Sequence, residues 1–319
     1  MKIKRSTLFT VIKVFLSLLI VIFIVRYLKN NFVNFNPESL KFNWLNLTIS
    51  TLLVSIFFYN QYLLWYLITK INKCNLQLQN TIRLRALSEI GKYLPGKVFG
   101  YAILMYNYSI NGHSKSKLLI CFTIELLGNI LAIMLIFFTS IIFEDQINDR
   151  NRIFIVLAFF IISIVIIHPK TINFVIDIFN KYFKRSTEYI EVSFFLLFCI
   201  VILYMINFYI FGFAFIFLIN SISYVSFTNI LFITSSTTIA GLIGLISIFV
   251  PAGLGVREGM LLISLNGILG PVLSASIALV SRLWMTIAEL LIIGIVYIPK
   301  IQKGINREIK DVILRIRKE

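Results

Sequence analysis

Polar residues are so sparse along most of this chain that they read as interruptions of apolar runs. Residues 8–28 are apolar except for Lys13 and Arg26. With Lys2, Lys4 and Arg5 ahead of it, that run resembles a signal peptide. It is too long for such an apolar core, and no small-residue cleavage site follows, so an uncleaved first span is predicted. Residues 44–68 form a second run, with Phe57, Phe58, Tyr59, Tyr62, Trp65 and Tyr66 crowding its later half; aromatic residues of this kind suit the headgroup boundary. Further apolar runs cover residues 118–143, 153–168, 192–218, 230–250 and 272–299. All but 153–168 reach the roughly 20 residues that a helix needs to cross a bilayer.

Two stretches do not fit a simple crossing. The first is Glu89-Ile-Gly-Lys-Tyr-Leu-Pro-Gly-Lys-Val-Phe-Gly-Tyr101, with Glu89, Lys92, Pro95, Gly96 and Lys97 packed into thirteen residues. Pro95 biases Leu94 toward extended geometry, Gly96 can take whatever turn is needed, and the apolar piece that follows, 98–105, is too short to cross. Two half-helices meeting at Pro95-Gly96 and returning to the same side fit residues 87–110 better than one crossing. Such a break is tolerated at membrane depth only where protein or a polar cavity receives the freed backbone groups. The second stretch, Pro251-Ala-Gly-Leu-Gly-Val-Arg-Glu-Gly259, is a looser echo followed by nine mostly apolar residues, 260–268.

Between the runs, residues 69–86 hold Lys70, Lys73, Arg83 and Arg85 with no acid, which predicts a cytoplasmic loop. Residues 172–185 alternate apolar and charged positions, and 300–319 repeat apolar residues every three or four positions among seven bases and three acids. Both are predicted to be amphipathic helices at the membrane surface, the second a basic cytoplasmic tail. The basic flanks place both termini in the cytoplasm, which requires an even number of crossings. Seven apolar helices are counted, so either one broken element crosses, with 255–269 the candidate, or one terminus lies on the other side. The result is an all-α polytopic bundle of about eight membrane segments with two broken or re-entrant elements. It is one transmembrane domain over 1–319, with weak pseudo-repeats at 8–150 and 192–298.

Composition supports the class and narrows the chemistry. The 319 residues are 59% hydrophobic and 14% charged, with a mean hydropathy of +0.91, more apolar surface than a soluble core needs. The net charge of +16 is spread over short interhelical segments and the two ends. That distribution suits anionic lipid headgroups and topology rather than nucleic acid. Cys74, Cys121 and Cys199 are odd in number and far apart, and His113 and His168 are too few for a histidine metal centre. No metal or other cofactor is expected, and no catalytic set emerges.

Charges inside the apolar runs are the informative ones, because a carboxylate or guanidinium in hydrocarbon should be paired or face a polar cavity. Glu125 lies eight residues beyond Lys117, about 12 Å up a helix, and Glu289 is similarly deep. Arg282 precedes Glu289 by two turns on the same face, and Asn129 is one turn from Glu125. These are predicted to face inward, lining a substrate path or forming a structural ion pair. Protonation of Glu125 or Glu289 is carried as a hypothesis from their depth. Arg257 and Glu258 are adjacent, so they are expected not to pair with each other but to meet partners on other helices. Gly253 and Gly255 would allow close backbone approach; no strand–loop–helix context supports a nucleotide site. Half-helix ends at such breaks carry partial charges suited to an anionic or zwitterionic group.

The two interrupted segments, with Glu125 and Ser281-Arg-Leu-Trp284, closely resemble the transmembrane domain of the lysylphosphatidylglycerol synthases over roughly residues 8–298. The same domain occurs in stand-alone flippase-like membrane proteins. The motif here reads Pro-Ala-Gly where Pro-Gly-Gly is common in relatives. The resemblance implies the membrane half alone, without the aminoacyl-transfer domain. It implies a cell-membrane protein that translocates a phospholipid or polyprenyl-linked lipid between leaflets, its headgroup passing Glu89, Lys92, Lys97, Arg257, Glu258 and Arg282. The partners implied are membrane lipids, anionic or lipid-linked, and a separately encoded synthase or glycosyltransferase; a homo-oligomer stays open. The rival expectations are a membrane-embedded enzyme and an accessory subunit of lipid-linked glycan or cell-envelope synthesis. Loop charges favour two breaks opening to the same side, whereas an inverted repeat would place them on opposite sides.

Overall fold

The computed structural model describes residues 42–74, 76–91, 99–141, 149–183, 188–247, 253 and 255–316. Every regular element among them is helical: α1 (Trp44–Ile71), α2 (Leu78–Ile90), α3 (Phe99–Ile110), α4 (Lys115–Ile141), α5 (Asp149–Ile167), α6 (Pro169–Phe183), α7 (Phe194–Asn220), α8 (Ile230–Ile246) and α9 (Val256–Ile316). The described residues hold five stretches long and apolar enough to cross a membrane, or six if the bent α5–α6 pair makes one span, against the eight expected for the whole chain. The predicted first span at 8–28 lies outside the described residues, as do Lys92, Pro95, Gly96, Lys97 and Pro251.

The frame is the antiparallel pair α1 and α7. Asn46 Nδ2 donates to the Asn220 carbonyl at 2.9 Å, Ser50 Oγ to that of Ala214 at 2.7 Å, and Asn60 Nδ2 to Asn207 Oδ1 at 3.2 Å. The pairing runs in opposite directions, from Asn46 with Asn220 to Asn60 with Asn207. Between helices in hydrocarbon such polar contacts hold the pair together, on the order of 0.6 kcal/mol each. We call the end where α1 finishes and α7 begins the lower end, and the other the upper end. At the upper end the Asn43 N–H donates to the Ser221 carbonyl at 2.9 Å.

The α2–α3 hairpin enters from the lower end. Trp65 Nε1, near the end of α1, donates to the Tyr108 hydroxyl at 3.2 Å, and that hydroxyl also lies against Thr69 and Thr81. Deeper in, a Cβ on Gly100 would stand 2.4 Å from the Ser88 carbonyl oxygen, and one on Gly91 2.4 Å from the Gly100 nitrogen. Thr81 with Tyr108 and Ser88 with Gly100 define an antiparallel pair of half-helices with residues 92–98 between them. Their 13 and 12 residues reach roughly 20 Å into the bundle, short of a 30 Å hydrocarbon core. The re-entrant pattern expected for 87–110 is found, but its first arm begins earlier. Residues 78–86 are helix and not a loop, because Ile82 and Ala86 are buried and α9 receives the polar side. Arg83 Nε donates to the Val296 carbonyl at 3.3 Å, and Tyr297 Oη to that of Arg83 at 3.3 Å.

From the lower end, where Lys117 meets Glu188 at 3.9 Å, α4 rises to the upper end and α5 returns. Pro169 then opens α6, bent 60° from α5. Its exposed Phe174, Val175 and Ile178 fit the amphipathic surface helix predicted there. After α7, helix α8 descends from the upper end. Phe217 and Phe227 stack edge-on at 5.4 Å, and Gly212 packs so closely on Thr234 that a Cβ would fall 1.8 Å from its hydroxyl.

The second hairpin follows. Gly253 has φ +66°, a conformation that suits glycine, and its Cβ would stand 2.7 Å from the Gly244 carbonyl oxygen. The first part of α9 climbs back from there to Gly270, where φ 73° and ψ 169° interrupt the helix and Pro271 opens the next stretch as a first-turn residue. Without that break the 42 residues of Val256–Tyr297 would span roughly 63 Å. The second part descends past the first to the lower end, where Tyr297 meets Arg83. Leu283, Ile287 and Leu290 are exposed on its outer face, as suits contact with lipid. The backbone stays helical through Ile316. The two hairpins therefore enter from opposite ends, the inverted arrangement and not the same-side one that loop charges favoured.

Candidate functional site

The hairpins meet at one cavity of about 370 Å³. Its apolar walls come mainly from Phe57 and Tyr62 of α1 and from Phe208 and Phe211 of α7. Thr237, Thr238 and Gly241 of α8 line it as well, and both threonine hydroxyls donate to carbonyls one turn back, at 2.8 and 2.7 Å. Two charged clusters face it, one from each hairpin.

In the first cluster, Arg85 of α2 lies between two carboxylates. Its Nη2 is 2.6 Å from Glu125 Oε1 on α4 and 3.2 Å from Glu89 Oε1 one turn along its own helix. The guanidinium also sits 5.6 Å from the centroid of the Trp65 ring, a cation–π contact. Arg85 and Glu125 side chains are only 13% and 7% exposed, so this is an ion pair withdrawn from water. Glu125 Oε2 is buried and has no hydrogen-bond partner among the described residues. Asn129, a cavity-lining residue, ties its amide to the Glu125 carbonyl at 2.8 Å.

The second cluster is built on the N-terminus of α9. Glu258 Oε2 accepts from the Gly255 N–H at 2.6 Å, the reach-back of an acid at the third helical position. Its Oε1 stands 3.5 Å from Arg257 Nη1 and 3.6 Å from Arg282 Nη1, close enough for charge attraction but long for hydrogen bonds. Arg257 and Glu258 thus do approach each other, contrary to expectation, because the capping bend carries the carboxylate back across the helix end. Each also meets a partner elsewhere, as expected, here on the stretch beyond the break at Gly270. Arg257 donates to Ser281 Oγ at 3.3 Å and to the Met285 sulfur at 3.1 Å, and Glu258 faces Arg282. A thioether is a weak acceptor for a buried guanidinium. Glu289 is buried, lines the cavity and acts electrostatically on Arg257.

Glu89, Glu125, Asn129, Arg257, Arg282 and Glu289 therefore line a single cavity. Glu258 is held against it through Arg257 and Arg282, while Gly253 and Gly255 shape the turn behind them. Sequence reasoning missed Arg85, which it assigned to a loop that sets topology. The available signal was its spacing of four residues before Glu89, an ion pair on one helix face. Among the described residues no group of three or more His, Cys, Asp or Glu is placed to hold a metal ion.

A family model described as the lysylphosphatidylglycerol synthase TM region matches residues 11–293. No curated protein and no solved structure matches the chain.

Proposed function

From the premise that the chain belongs to the lysylphosphatidylglycerol synthase TM region family, and is thus an integral membrane protein of a lipid-handling family, we propose that it carries a phospholipid or polyprenyl-linked lipid between leaflets. The observation that carries this reading is the meeting of two hairpins, one from each end, on a cavity lined by charged groups. A headgroup approaching from either leaflet would reach that cavity after crossing half of the bilayer, while its tails stay among the lipids. Arg257 is suited to a phosphate, since its contact to Glu258 is long and it leans on a sulfur, and Arg282 lines the same cavity beside it. Charge-assisted bonds to phosphate would be stronger than either. Lys70, Lys73, Lys115, Lys117, Lys170 and Lys181 gather at the lower end, which we place in the cytoplasm.

A photoreactive side chain at Thr238 tests the path. Irradiation in native membranes is expected to yield adducts whose added mass is an intact lipid. An adduct or released product of altered headgroup mass would favour an embedded enzyme instead. Labelling of protein alone, with no lipid, would count against the headgroup path and favour an accessory subunit.

A further inference from the structure

We propose that Glu125 takes up and releases a proton at Oε2, and that this proton decides whether Arg85 is held by Glu125 or by Glu89. The place of this step in a transport cycle rests on the lipid-translocation reading; the proton site itself does not. One nitrogen of Arg85 serves both carboxylates, at 2.6 Å to Glu125 and 3.2 Å to Glu89. The second Glu125 oxygen is buried, belongs to a cavity-lining residue, and has no hydrogen-bond donor among the described residues. A carboxylate oxygen left without a donor in such a place is costly, and a proton on that oxygen removes the cost. Glu289 has no such orphaned oxygen, and the one on Glu258, Oε1, stands 3.5 and 3.6 Å from two guanidinium nitrogens that favour its charged form.

Among the described residues, other helices bring groups toward Glu125 or pack on its helix. From α2 come Arg85 and Glu89, from α3 Tyr101, from α7 Tyr204, and from α4 itself Cys121 and Asn129. Helix α1 contributes Tyr62 and Trp65, and α8 only the Thr237 and Thr238 hydroxyls. Helix α5 packs higher on α4, through Phe138 and Phe159. Among the described residues, Arg85 is the one cation that faces Glu125.

The step balances simply. A proton from water adds to Glu125 Oε2, the carboxylate becomes a neutral acid, and its charge-assisted hold on Arg85 weakens. Glu89, on the same helix as Arg85, then keeps the guanidinium. Because α2 is one arm of the first hairpin, the exchange frees that arm from α4. Deprotonation pins it again.

Infrared difference spectra of the protein in lipid nanodiscs, taken across pH, read the proton directly. The wild type is expected to show the carbonyl stretch of a buried carboxylic acid that disappears at alkaline pH. Glu125→Gln is expected to lose this band entirely and Glu289→Gln to keep it, while the conservative Glu125→Asp retains a band with a shifted midpoint. Absence of the band from the wild type at every pH, or its survival in Glu125→Gln, would overturn the proposal. Lipid movement by the same proteins in liposomes is expected to change with pH in the wild type and to be flat in Glu125→Gln. A Glu125 band without any lipid movement would leave the proton site standing and overturn the transport reading. Lipid movement without a Glu125 band would do the reverse.

Discussion

Replacing Arg85 with Ala is expected to destabilise the bundle by about 3–5 kcal/mol, the range for removing one partner of a buried ion pair. The loss is large because Glu125, 5% exposed, is left as a buried charge without its nearest donor, and Glu89 loses the same contact. Adding Glu125→Gln to Arg85→Ala removes that charge and is expected to restore part of the stability, so the two changes will not add. Arg85→Lys should fall between, since an ammonium keeps the charge but not the fixed, weakly hydrated guanidinium geometry. Thermal unfolding in nanodiscs of wild type, Arg85→Ala, Glu125→Gln, the double variant and Arg85→Lys measures these effects. Additive losses would show that the two side chains do not interact.

Gly100→Val is expected to have the second large effect. The added Cβ would stand 2.4 Å from the Ser88 carbonyl oxygen, which is backbone and cannot swing away. Overpacking of this kind costs about 1–3 kcal/mol, occasionally more, and here the strain falls on the pairing of α2 with α3. The hairpin arms must part, taking Arg85 and Glu89 away from Glu125. Gly267→Ala is the matched control, because nothing lies within 4 Å of a Cβ there; it should leave stability and transport within error of wild type. Wild-type lipid movement by Gly100→Val would show that the close packing of α2 on α3 is not needed for function.

Much of this architecture could be read from the residues, for reasons that differ from element to element. The long spans were legible because hydrocarbon demands about 20 apolar residues in a row, a pattern that survives without tertiary information. The broken elements were legible because eight or nine apolar residues beside Pro and Gly cannot cross. Glu125 and Glu289 were legible from their depth alone. The direction in which each hairpin opens was not, since it depends on how α2 and α8 are carried by the α1–α7 pair, a three-dimensional fact that loop charges report only indirectly. Arg85 was hidden for a related reason: among Lys70, Lys73 and Arg83 it looks like one more base of a cytoplasmic segment. Only the burial of Ile82 and Ala86 shows that this segment has already entered the bundle. The contact of Arg257 with Glu258 was hidden by a capping bend that residue order does not reveal.

The central claim is that the cavity between the hairpins passes a lipid headgroup from one leaflet to the other, with Arg257 and Arg282 meeting its phosphate. A leaflet-resolved assay of tail-labelled anionic phospholipids and polyprenyl phosphates, in liposomes holding the purified wild-type protein or Arg257→Gln with Arg282→Gln, tests it most directly. The account predicts protein-dependent exchange between leaflets with no change in lipid mass, reduced at least about tenfold in the double variant, as loss of roughly 1.4 kcal/mol of headgroup binding would give. Exchange in the double variant at the wild-type rate, or none above protein-free liposomes for any of these lipids with the wild type, would contradict it.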